Sequence, residues 1–149
     1  MKKTVVCMLL LAFTALSSFA QIRMKLKYPK CEVVSQDVFA GIKKYKTMKI
    51  ETAEDFAKYF KLAEGESINF EKNLVLAGFV GEGNEEKFIE INAATYDPKA
   101  KYLNVRFDIK DEKLEDNGKF CVAVVPKSYS YKKVAFLKGK LYNMSQSGE

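Results

Sequence analysis

The chain has 149 residues, 25 Lys and Arg against 19 Asp and Glu, a formal net charge of +6, no histidine and no tryptophan. That length sets one domain with room for a proper hydrophobic core. The missing histidine excludes Ser-His-Asp and Cys-His catalysis in their usual forms, histidine zinc sites and histidine general bases, and the mild, mixed charge lacks the segregated basic face of a nucleic-acid binder.

The chain opens like a secretory signal peptide. Met1-Lys2-Lys3 is a basic start, Val5 to Ala15 is almost unbroken apolar, and Ser18 and Ala20 put small residues at the −3 and −1 positions before Gln21. These are the three regions of an export signal over residues 1–20. A bilayer span takes about 20 apolar residues, roughly twice what this stretch offers. Gln21, not a cysteine, follows the cleavage site, so lipoprotein anchoring is rejected. The expectation is an exported chain, periplasmic or secreted, with no transmembrane anchor and a single domain over 21–149. Lys2 and Lys3 leave with the leader, so the mature net charge falls from +6 to +4.

Cleavage also removes Cys7 and leaves Cys31 and Cys121. An even pair in an oxidising compartment is most simply a disulfide, which would tie the N-terminal segment to the core. No Cys-x-x-Cys redox motif exists.

In chain order, Glu32 to Ile42 and Lys44 to Ile50 read as strands, with a bend or bulge at Phe39-Ala-Gly41. A helix follows. Thr52 is a good N-cap, Glu54 and Asp55 charge its first turn, Phe56, Phe60 and Ala63 form an apolar stripe, and Gly65 is placed as its C′ residue. Leu74 to Val80 is continuously apolar, which predicts a strand buried on both faces. Residues 81–86 form a loop, Lys87 to Tyr96 a strand, and Asp97-Pro98 a turn. Tyr102 to Ile109 alternates strictly, with Leu103, Val105, Phe107 and Ile109 on one face. Phe120 to Val125 is a second buried strand, Val134 to Tyr142 the last, and 145–149 a disordered tail. The fold class is mainly β with one helix (α+β), an antiparallel β-sandwich or open barrel of about seven strands.

Few motifs carry chemistry. The acidic loop Asp111 to Gly118 does not match a calcium-binding helix-loop-helix pattern and reads as a solvated hairpin loop. Gly81-Glu-Gly-Asn84 follows a strand but lacks a phosphate-loop ending, so turn geometry explains it. Ser128-Tyr-Ser-Tyr-Lys-Lys133 sets two tyrosines beside two lysines, a composition enriched at protein interfaces. Asn143-Met-Ser145 matches an N-glycosylation sequon. No metal, cofactor or catalytic set is expected. Carboxylate-only hydrolysis passes the histidine filter, but no paired carboxylates stand out by spacing.

Several segments carry a family resemblance. These are Ser35 to Lys44, Met48 to Phe60, Ile68 to Gly81, Ile89-Glu-Ile91 and Val122-Ala-Val-Val-Pro-Lys127. In order and junction residues they resemble the C-terminal domain of the PrcB family, subunits of an exported protease complex, over roughly residues 35–127. Here the loop after the apolar strand has no adjacent glycine pair, and Phe56 and Phe60 stand where the family helix often carries tryptophans. The resemblance implies a protein partner in an envelope protease complex. The expected activity is that of a non-enzymatic binding or accessory domain. Its contacts would be an open strand edge and the loops at 81–87 and 127–133, with Glu82, Asn84, Tyr129, Tyr131 and Lys132 as contact residues. Protease inhibition, or small-ligand or glycan binding by the sandwich, is the alternative.

Overall fold

The computed structural model describes residues 21–84, 86–114 and 117–139. The segment expected to be a signal peptide, Cys7, the sequon and the expected tail lie outside the described residues. Among the described residues the protein is mainly β, with one short helix. Its elements are β1 (Ile22–Met24), β2 (Cys31–Val33), a 3₁₀ turn (Gln36–Phe39), β3 (Tyr45–Ile50), α1 (Ala53–Ala57), β4 (Phe60–Leu62), β5 (Asn73–Val80), β6 (Phe88–Asp97), β7 (Tyr102–Lys110), β8 (Phe120–Pro126) and β9 (Lys133–Lys138).

Three layers result. A four-stranded sheet has the order β1-β6-β7-β9, a three-stranded sheet β3-β5-β8, and β2 pairs with β4. All named pairings are antiparallel except β7 with β9, which is parallel.

The alternation of side chains explains the two apolar strands. Leu74, Leu76 and Val80 of β5, with Cys121, Ala123 and Val125 of β8, face the larger sheet and meet Ile89, Ile91, Leu103, Val105 and Phe107. Val75, Ala77 and Phe79, with Val122 and Val124, face the other way and meet Phe39, Ile50, Phe56 and Phe60. The three-stranded sheet is therefore the middle layer, covered on both faces. Full burial of each Val, Leu, Ile or Phe side chain among them stabilises by about 1.5–3 kcal/mol.

Two expectations are corrected. The helix anticipated from Thr52 to Gly65 is only Ala53–Ala57, and Phe60–Leu62 leaves it as a strand. Thr52 is indeed the cap, its hydroxyl accepting from the Asp55 amide at 3.1 Å. The chain then finds better partners in β2: Cys31, Glu32 and Val33 lie opposite Leu62, Lys61 and Phe60. The Val34 amide donates to the Tyr59 carbonyl, and the Ala63 amide to that of Lys30. Gly65 has φ +85°, as a C′ glycine would, but it serves the turn after β4.

The strand anticipated over Glu32 to Ile42 is broken as well. The Ser35 hydroxyl accepts from the Asp37 amide at 3.1 Å and starts the 3₁₀ turn. The bend at Gly41 follows it, at φ +79°.

Candidate interaction site

The two loops singled out for contact sit at opposite ends of the middle sheet. β5 and β8 pair from Asn73↔Pro126 to Phe79↔Phe120. One loop leaves β5 after Val80 and the other leaves β8 after Pro126. At about 3.4 Å per residue the ends are roughly 20 Å apart. Glu82 and Asn84 belong to one end, and Tyr129, Tyr131 and Lys132 to the other.

The loop after β5 is held by backbone capture. A Cβ on Gly81 would lie 2.1 Å from the Ile42 carbonyl oxygen, so only glycine permits this approach. The Gly81 amide donates to Lys44 O at 2.9 Å, and Asn84 Nδ2 to Lys43 O at 3.0 Å. From the other side Lys119 Nζ donates to the carbonyls of Asn84 and Lys87, at 2.8 and 2.9 Å, and lies 4.7 Å from the centre of the Phe88 ring. Lys87 itself pairs with Asp111. Between this loop and the 3₁₀ turn lies a recess of about 370 Å³. Phe39 and Val80 give it apolar lining, and Gln36, Glu82, Asn84 and Lys119 give it polar groups. This recess brings Glu82 and Asn84 together with Gln36 and Phe39, which the sequence reading did not join to them.

At the far end the tyrosines lie back on the core. Tyr129 stacks on Tyr96 with ring centres 4.4 Å apart, and Tyr131 meets Tyr96 edge-on at 5.6 Å. The Tyr131 hydroxyl donates to Pro126 O at 2.5 Å. Burial pushes the Tyr131 phenol up to about 12, with Tyr96 and Tyr129 adding to the shift. The Lys132 amide donates to Lys101 O at 2.7 Å. Tyr131 is therefore committed to packing, while Tyr129 keeps 38% of its surface exposed.

Cys31 and Cys121 are both free thiols here. Cys121 is buried and accepts from the Ile91 amide at 3.4 Å. Burial, with Glu90 adding to it, pushes its thiol up to about 11. Burial does the same to Cys31, with Cys121 and Glu66 adding. Neither is a thiolate near neutral pH, so neither is poised as a nucleophile. Cys121 lines a second cavity of about 380 Å³ with Tyr28, Glu90, Ile91 and Asn92. It lies where β6 outruns its partner β1, and Tyr28 covers the gap by donating to Ile91 O at 2.7 Å. Asn92 sits at the irregularity in β6, its Nδ2 buried and without a hydrogen-bond partner. The sequence reading missed this corner, because only the pairing register reveals it.

Among the described residues no three His, Cys, Asp or Glu side chains come together to hold a metal ion. No helix among them is long and apolar enough to cross a membrane. No family model matches this chain, and no curated protein or solved structure matches it either.

Proposed function

We propose that this chain is an exported, non-enzymatic binding domain, an accessory part of an envelope protein complex, and that it docks through the end of the sandwich formed by the 3₁₀ turn and the loop at 81–87. The observation that supports the reading is the recess there, with apolar Phe39 and Val80 among the polar Gln36, Glu82 and Asn84. An apolar pocket with a few convergent polar groups is what a docking side chain needs. The loop is also fixed before any partner arrives, through Gly81, Asn84 and Lys119. Pre-organisation of this kind lowers the ordering cost of binding. The resemblance to the PrcB C-terminal domain makes a protease-complex subunit the first partner to look for. The volume of the recess also suits a small ligand or a sugar, which is the second reading.

The test is affinity capture of the tagged mature protein from envelope and secreted fractions, beside a Gln36→Arg/Glu82→Arg variant. Both positions are exposed, so the fold should survive. A protease-complex protein enriched by the wild type and reduced about tenfold by the variant supports the reading. Equal capture by both, or no enriched protein, contradicts it.

A further inference from the structure

A second surface lies along one side of the sandwich, away from the recess. β3 ends the middle sheet and β9 ends the larger one. The two edges are neighbours: the Tyr45 ring of β3 lies 5.1 Å from Phe107 of β7, and Lys138 Nζ of β9 lies 5.8 Å from the Tyr45 ring centre.

The hydrogen-bond phase of β3 is fixed by its partner. The Gly81 amide donates to Lys44 O, and the Val80 amide turns away to Lys119 O. Alternation then directs the backbone groups of Lys46, Met48 and Ile50 to β5, and those of Tyr45, Thr47 and Lys49 outward. Among the described residues nothing hydrogen-bonds to these outward groups.

Lysines dominate the side chains beside this edge. Lys43, Lys44 and Lys46 on the β3 side, and Lys138 on β9, make no ion pair among the described residues, while Lys49 has only an exposed contact of 3.8 Å with Glu51. Residues 44 and 46 project to one face of the sheet and 49 to the other. An incoming strand would thus meet lysine on both of its faces, with Lys138 nearby. A second copy of β3 would set lysine against lysine, which opposes self-pairing.

We propose that the open edge of β3 binds an extended, acidic segment of a partner protein by strand addition, with backbone hydrogen bonds to Tyr45, Thr47 and Lys49 and carboxylates beside the lysines. Charge complementarity sets the occupant, and the unpaired edge sets its conformation.

The test is fluorescence anisotropy of the mature protein with a fluorescein-labelled peptide of Glu-Glu-Thr-Val repeats. Its controls are the same peptide with alternate backbone amides N-methylated, a version with lysine for glutamate, and vesicles of anionic phospholipid. The protein variants are Lys46→Glu/Lys49→Glu, which reverses charge, and Thr47→Pro, which removes an outward amide that β5 does not use. Thermal melts confirm that each variant is folded. The expected result is saturable binding of the acidic peptide, weakened about tenfold by each variant and by moving from low to physiological salt, and lost on N-methylation or with lysine. Equal binding of the N-methylated peptide, or vesicle binding without peptide binding, overturns the proposal, because a basic patch alone would account for either. No peptide binding at all also overturns it, and leaves the lysines as guards against edge pairing.

Discussion

Cys31 and Cys121 pack against opposite faces of the middle sheet, Cys121 in the core toward the larger sheet and Cys31 against the aromatic core on the other side. Both thiols are free in this arrangement. The expected outcome is that Cys31 and Cys121 both remain free thiols, with Cys121 alkylated far more slowly than Cys31 near neutral pH. Intact mass after alkylation without reductant checks this. Two added groups after unfolding fit the structure, and none would mean that the disulfide forms.

The thiols also set a pH dependence. Each rises from an ordinary 9.0 to about 11 in the fold, so the folded state holds these protons more tightly than the unfolded one. That contribution is whole below about pH 9 and is lost as pH rises toward 11. Urea midpoints should fall between pH 9 and pH 11, and less steeply in Cys31→Ser, which lacks one of the two groups. An identical slope in that variant would assign the loss to other groups.

Gly81→Ala should destabilise the protein by about 1–3 kcal/mol, since its methyl would meet the Ile42 carbonyl at 2.1 Å. The loop would lift and loosen the Gly81–Lys44 and Asn84–Lys43 bonds. Hydrogen exchange should quicken at 81–84 and 43–45 while β7 stays protected.

Phe79→Ala should cost about 3–5 kcal/mol. The ring is 1% exposed, stacks on Phe60 at 5.3 Å and 8°, and touches Phe39 and Tyr59. It joins the middle sheet to the third layer, so near-ultraviolet dichroism from the aromatic cluster should collapse with it. Denaturant unfolding gives the energy, and a loss below 1 kcal/mol would mean that the third layer is loosely attached.

Thr52→Ala should cost about 1 kcal/mol, because one hydroxyl caps a helix of five residues. Thr52→Ser should restore most of it. Thermal melts of the two variants decide the matter.

The sequence reading succeeded where one periodicity acts alone. The strict alternation of β7 follows from one buried and one wetted face, and the unbroken apolar runs of β5 and β8 follow from a sheet covered on both sides. It failed where two patterns look alike. Phe56 and Phe60 stand at helical spacing and their rings do meet, at 5.3 Å, yet Phe60 belongs to a strand. The pairing with Cys31–Val33 decided this, and that is a long-range fact which local spacing does not carry. Ser35 two residues before Asp37 is a local signal for the 3₁₀ turn that the strand expectation over Glu32 to Ile42 did not use. At the candidate site, Glu82 and Asn84 were legible as loop residues. Their neighbours Gln36 and Phe39 were not, because the approach is made by backbone, through Gly81 and Ile42.

The most direct test of docking at this end is site-specific photocrosslinking in the producing cell. A photoreactive amino acid replaces Glu82 in one strain and Tyr129 in another, the two lying at opposite ends of the sandwich. The account predicts a discrete protein adduct from position 82 and none from position 129. An adduct from 129 alone, or from neither position, contradicts it.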